Sequence, residues 1–258
     1  MAGREVSRRG LLGLGAAVLA GCQAGPSPGG AGPASGGAGP PPGSPGSALP
    51  TSTTTGAPPG PAQQLVRAES GRPEVALTFH GAGDLSLTRR VLDVLAQHDA
   101  QVTVLAVGTW LAATPDGIRM VRDGGHEIGN HTWSHGDLAH MAPSPMRTEI
   151  ERCRDELDRL TGGPGTFFRQ SQGQYATPAE LTEAAWAGYA RVLSYDVDSL
   201  DWTDPAPERI RRAVAAARAG SVVSMHLGHP ATVTALPGVL TDLAGRGLRP
   251  VTATRLFT

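Results

Sequence analysis

Between residues 75 and 252 the chain alternates short apolar runs with longer amphipathic stretches, and this alternation limits the fold more than any other feature. The apolar runs lie at 75–79, 102–107, 126–130, 167–168, 191–195, 221–225 and 248–252. Helical spacing occupies 87–98, 110–122 (with a turn at 114–116), 145–160, 178–187, 207–219 and 236–244. Within 145–160 the residues Met146, Ile150, Leu157 and Leu160 form one apolar stripe. A parallel neighbour cannot be reached through a tight turn, so strands that alternate with helices predict parallel pairing through crossover helices. The expected class is therefore α/β, as a barrel or an open sheet. In either, functional side chains gather just after the strands. His80, the loop from Asn130 to His135, Arg169, Asp198, Asp201 and His226 all occupy such places.

The residues before this region do not follow the pattern. Arg4, Arg8 and Arg9 precede an apolar segment at 11–20, too short for the roughly 20 residues a bilayer requires. It reads as an export signal, and Arg8-Arg9 gives it a twin-arginine look. Leu19-Ala20-Gly21-Cys22 resembles the lipobox of bacterial lipoproteins. That resemblance implies cleavage before Cys22, lipidation of Cys22 and a membrane anchor made stable by several acyl chains. The chain has 35 Gly and 22 Pro, an excess concentrated in the segment that follows. Residues 23–62 hold too few large apolar side chains to offset chain entropy, so they read as a flexible tether. The expected organisation is a signal peptide at 1–21, a lipidated cysteine and linker at 22–65, and one folded domain at 66–258. An exported lipoprotein facing the cell envelope follows. A formal net charge of −1 offers no basic field for nucleic acid. Cys22 and Cys153 do not make a disulfide framework, and Cys153 reads as a small inert packing residue.

His131 and His135 stand four residues apart. On a helical turn they share a face and both rings reach one ion. Imidazole suits zinc and its transition-metal neighbours. Alone the spacing is common on surfaces. Its surroundings are not: Glu127 to His135, then Arg169-Gln170-Ser171-Gln172-Gly173, then Asp198-Ser199-Leu200-Asp201-Trp202, then Val222 to His226, in that order. These segments resemble the motifs of the polysaccharide deacetylase family, the carbohydrate esterase family 4-like group with the NodB homology domain. The likeness runs over residues 73–258.

The resemblance implies a distorted (β/α) barrel and a metal-dependent hydrolase that removes N-acetyl groups from a polysaccharide such as peptidoglycan or a chitin-like polymer. It implies a divalent metal on His131 and His135, zinc first and cobalt, nickel or manganese next, polarising the acetamide carbonyl. It casts His226 as the acid that protonates the leaving amine and Asp201 as the carboxylate that orients and charges it. Trp202 would wall the acetyl pocket, Arg169 would tune the base, and the N–H of Gln170 would face the oxyanion.

Two motifs depart from the family: the third has Gln170 and Ser171 where its usual R-P-P-x-G pattern has prolines, and the first is altered more deeply. Where the pattern T-F-D-D-G holds a base and a third metal ligand, this chain reads Thr78-Phe79-His80-Gly81-Ala82-Gly83-Asp84. Three readings follow. His80 is the base while Asp84 swings back as the third ligand. Alternatively, His80 is itself the third ligand, with Asp84 or a metal-bound hydroxide handling the proton. In the third, catalysis is impaired and the lipoprotein only binds glycan. Asp84 has a competing role as N-cap of the next helix. His229, one turn past His226, is a further groove-lining candidate.

Overall fold

The computed structural model of the protein describes residues 59–258. The export signal, Cys22 and the linker up to residue 58 lie outside the described residues.

The strands are β1 (Gln63–Leu65), β2 (Glu74–Gly81), β3 (Thr103–Ala106), β4 (Glu127–Asn130), β5 (Arg191–Leu193), β6 (Val197–Asp198), β7 (Val222–His226) and β8 (Arg249–Pro250). The helices are α1 (Leu85–Gln97), α2 (Gly108–Ala113), α3 (Pro115–Asp123), α4 (Pro143–Thr161), α5 (Pro178–Trp186), α6 (Pro207–Val214), α7 (Pro230–Gly245) and α8 (Ala253–Leu256). The strands pair in parallel in the order β4-β3-β2-β7-β6, with β8 beside the start of β2 and β1 beside β5. Single bridges at Phe168 carry the pairing from Asn130 at the end of β4 across to Val192 in β5. Arg67, just past β1, bridges Ser221 just before β7. The sheet thus wraps around on itself as a distorted (β/α) barrel, the form the family resemblance implies and one of the two that the alternation allows.

The central strand shows why. Every residue of β2 is buried except the half-buried His80, so both of its faces are covered. Val75, Leu77 and Phe79 join the core shared with Val91 and Leu95 of α1 and Leu236, Leu240 and Leu243 of α7. Ala76 instead packs inside the barrel with Leu105, Phe167, Leu193 and Val222. Each such large apolar side chain contributes on the order of 2 kcal/mol on burial. The two-residue strand period then sends Thr78 and His80 inward with Ala76, and Gly81 outward with Phe79.

Some boundaries differ from the sequence reading. The folded part begins before residue 66: β1 pairs with β5, and the Ala62 N–H donates to Leu181 O at 2.9 Å. Residues 167–168 contribute bridges rather than a ladder. The last long helix starts at Pro230, not 236, because Pro230 sits at its first turn and Pro237 is carried inside it.

Glu74, buried at the start of β2, ties three segments together. It accepts Arg72 Nε at 2.8 Å, Arg249 Nη2 of β8 at 2.6 Å and Arg255 of α8 at 3.4 Å. These guanidiniums, Arg72 foremost, hold its carboxyl down to about 2 against the upward pull of burial. A depressed carboxyl stabilises the fold fully above its unfolded pKa of 4.5 and loses that contribution as pH falls toward about 2. Glu74→Gln is expected to cost only about 1 kcal/mol near neutral pH, because the arginines it leaves unpaired are a third or more exposed and screened by water. It should also flatten the acid limb of stability, which urea melts at about pH 7 and about pH 3 would show.

Candidate active site

Three imidazoles meet at the C-terminal ends of β2 and β4. One nitrogen from each of His80, His131 and His135 lies within 4.8 Å of the others. His80 closes the inward face of β2. His131 and His135 come from the loop after β4, and they meet without a helical turn. Thr132 and His135 are left-handed, at φ 66° and 58°. Asn130 pins the loop: its Oδ1 accepts the Thr132 N–H at 2.9 Å, and its Nδ2 donates to Ile150 O at 2.8 Å. The His135 N–H donates to Thr132 Oγ1 at 3.2 Å.

The tautomers follow from the partners. A carbonyl only accepts, so His131 Nδ1, 3.0 Å from Arg169 O, carries the proton. His131 Nε2 is then a buried lone pair without a partner. Histidine ligands are oriented in this way, by a hydrogen bond at the other ring nitrogen. His80 Nδ1 is likewise buried without a partner. His80 Nε2 has two neighbours, Arg169 Nη1 at 3.3 Å and Ser224 Oγ at 3.5 Å. Arg169 only donates, which favours the proton on Nδ1; the Ser224 hydroxyl accepts, which allows it on Nε2 and frees Nδ1. Burial, then the surrounding imidazoles, holds His80 and His131 well below the usual histidine range; burial lowers His135 as well. Three neutral imidazoles with two orphaned nitrogens fit a divalent cation.

Asp84 is elsewhere. Its carboxylate caps α1, accepting the Ser86 N–H at 2.6 Å, and hydrogen bonding by Ser86, its hydroxyl first and then its N–H, lowers the Asp84 pKa. The expectation that it swings back to the metal is corrected. The segment cannot turn inward, because Trp110 Nε1 donates to Gly83 O at 3.0 Å and Gly83 packs directly on Gly228. Gly81 supplies nothing either: a Cβ there would meet Val104 Cγ1 at 2.9 Å and Trp110 at 3.3 Å, on the helix side.

His226 ends β7 in register with His80, and their rings are 4.4 Å apart. Buried Asp201 holds it. Its Oδ1 is 2.7 Å from His226 Nδ1, while Oδ2 accepts the His226 backbone N–H at 2.8 Å and Thr232 Oγ1 at 2.6 Å. His226 Nε2 is therefore free to exchange a proton. Arg169 is fully buried, donating Nε to Leu193 O at 2.6 Å and lying over the Tyr195 ring. It has no carboxylate partner among the described residues, and burial pulls it down to about 9, still protonated at neutral pH. Gln170 is buried beside it, with Nε2 donating to Gly173 O at 3.0 Å.

A cavity of about 590 Å³ opens over these groups, lined by His80, His135, His226 and His229, with Trp202 at its rim, 52% exposed. Tyr195 and Ser224 also line it. Ser224 stands two residues before His226 on one strand, so strand periodicity already put it on the same face. Tyr195 ends a predicted strand, the same signal that singled out His80. A cavity of about 610 Å³ between α1 and α3 holds one histidine, His126, and no such cluster.

The sequence pattern described as polysaccharide deacetylase matches residues 67–192. A peptidoglycan-N-acetylglucosamine deacetylase of Bacillus cereus is 32% identical over 188 residues, 71% of this chain and 87% of the relative. A chitooligosaccharide deacetylase of Bradyrhizobium is 35% identical over 164 residues, 62% of this chain and 74% of the relative. A solved peptidoglycan N-acetylglucosamine deacetylase, in complex with a 4-naphthalen-1-yl-N-oxidanyl-benzamide, superposes with a TM-score of 0.70 at 29% identity. That match covers 75% of this chain and 92% of the solved one.

Proposed function

Because this chain belongs to the polysaccharide deacetylase family, we propose that it is a metal-dependent hydrolase removing N-acetyl groups from an envelope or extracellular polysaccharide. One observation carries the reading: the His80–His131–His135 cluster reaches, through His80 and His135, the same cavity as His226, an imidazole already held by a buried carboxylate. His80, His131 and His135 would hold a divalent ion, zinc ahead of cobalt, nickel or manganese. When bound, that ion supplies polarisation of the acetamide carbonyl. His80 thereby moves from base to ligand, since Asp84 is committed to α1.

The proton steps then fall to His226. Its neutral Nε2 takes a proton from the attacking water and returns it to the departing nitrogen, giving acetate and a free amine. Asp201 favours the imidazolium between the two transfers. Trp202 flanks the acetyl group, and the Gln170 N–H is the candidate oxyanion donor. Residues 19–22 support an anchor at Cys22, with the linker holding the domain off the membrane.

Zinc titration of the folded protein tests the ligand set. His80→Ala is expected to weaken zinc affinity by more than about 100-fold, beyond the 10–100-fold that outer-sphere partners bring. Asp84→Ala should leave affinity unchanged and lower the melting temperature slightly through the lost cap. Unaltered zinc binding in His80→Ala would overturn the three-histidine set. A second reading, glycan binding without turnover, is favoured by one contact: the Arg169 guanidinium on His80 Nε2 opposes the tautomer a metal needs. Zinc-loaded protein that binds chito-oligosaccharide yet releases no acetate would establish it.

A further inference from the structure

The mouth of the cavity carries a second imidazole–carboxylate pair outside the ligand set. Asp201 and Asp204 bound one tight turn, the Asp204 N–H donating to Asp201 O at 2.9 Å. His226 and His229 are likewise three residues apart, at the end of β7 and just before α7. The result is two neighbouring pairs: His226 Nδ1 to Asp201 Oδ1 at 2.7 Å, and His229 Nδ1 to Asp204 Oδ2 at 2.8 Å. The rings stand 5.5 Å apart, inclined at 79°. Asp204 Oδ1 is held in turn by the Ala231 N–H at 3.3 Å. The inner pair is sealed in by Asp201, whereas the outer pair lies at the rim with Trp202.

The outer pair is built for a different task. An ionised carboxylate only accepts, so the proton of neutral His229 sits on Nδ1 and Nε2 is a lone pair. That Nε2 has no partner among the described residues, and its ring lines the cavity. A sugar ring offers an apolar face and a circle of hydroxyl donors. Exposed Trp202 suits the first, and a fixed acceptor beside it suits the second. We propose that His229, oriented by Asp204, is a glycan-binding residue whose Nε2 accepts a hydrogen bond from a hydroxyl of the sugar lying against Trp202. The proposal rests on the polysaccharide reading above and adds a substrate contact to it.

Calorimetric titration of the full chain with fully N-acetylated chitotetraose tests it. His229→Phe keeps the ring and removes the acceptor, and should weaken binding about tenfold, the worth of one hydrogen bond. His229→Gln restores an acceptor and should stay within about threefold of wild type. On active protein, KM should rise in His229→Phe with kcat unchanged. Wild-type affinity in His229→Phe, or a fall in kcat alone, overturns the proposal. If His229→Phe does not fold, Asp204→Ala decides: affinity weakened about threefold supports the contact, and unchanged affinity overturns it. If wild-type protein does not bind the tetramer, the polysaccharide reading itself fails and His229 falls with it; if wild type binds and the variants bind equally well, His229 alone is wrong.

Discussion

Replacing His131 with alanine is expected to abolish zinc binding and, with it, acetate release. His131 is the most committed of the three imidazoles. It is fully buried, its Nδ1 is bonded to Arg169 O, and its Nε2 has nothing else to do. Its loss removes a nitrogen that was already desolvated and aimed, so the effect should exceed the 10–100-fold typical of an orienting partner. The fall in acetate release should follow the fall in zinc affinity. His131→Asn, whose amide nitrogen takes the place of Nδ1 and retains a donor for Arg169 O, separates ligand loss from disturbance of the loop: it should melt close to wild type and still fail to bind zinc. A His131→Ala protein that takes up zinc normally would dismantle the proposed centre.

The second large effect is expected from Asp201→Asn. The carboxylate has two unequal ends. Oδ2 accepts the His226 backbone N–H, which can only donate, and the Thr232 hydroxyl. The amide oxygen of asparagine must therefore stay at that end, and its NH₂ must face His226 Nδ1. Nδ1 then becomes an acceptor and Nε2 carries the proton, so His226 can no longer take one from water. Activity should fall by about 10³–10⁴-fold, the scale seen when a buried amide fixes a catalytic imidazole in the wrong tautomer. The fold should remain, since every donor and acceptor is still paired. Nitrogen-15 spectra of the histidine rings would show the tautomer directly, with or without turnover. Thr232→Val should cost only about 1 kcal/mol of stability and leave the tautomer alone.

These expectations draw unequally on the sequence. β2 and β7 were legible because fully buried parallel strands read as continuous apolar runs. β1 was not: Gln63 and Gln64 are polar, follow the Gly/Pro-rich segment directly in sequence and pair with the short β5. His131, His135, Asp201 and His226 were legible as residue types in a known order after strands. The manner in which the first two meet was not, because Thr132 and His135 take left-handed backbone that no spacing rule predicts. Asp84 was misplaced for a definite reason. A cap needs only the Ser86 N–H two residues on, whereas ligation needs a whole loop to reverse, and Gly83 against Gly228 prevents it. Asp204 and His229 gave no signal beyond their offset of three from better-marked neighbours.

Gly81 makes the altered first motif hard to revert by one substitution. The strand period turns this position toward the helices, and Val104, Ala106 and Trp110 have closed over the space a side chain would need. Trp110 is fastened there by its bond to Gly83 O. An aspartate reintroduced at 81 alone would arrive in a packed apolar layer, with its carboxylate buried and unpaired, and not beside the imidazoles. A carboxylate at this position therefore needs a second, compensating change at Val104 or Trp110 to make room for it, so a single substitution does not restore the usual first motif.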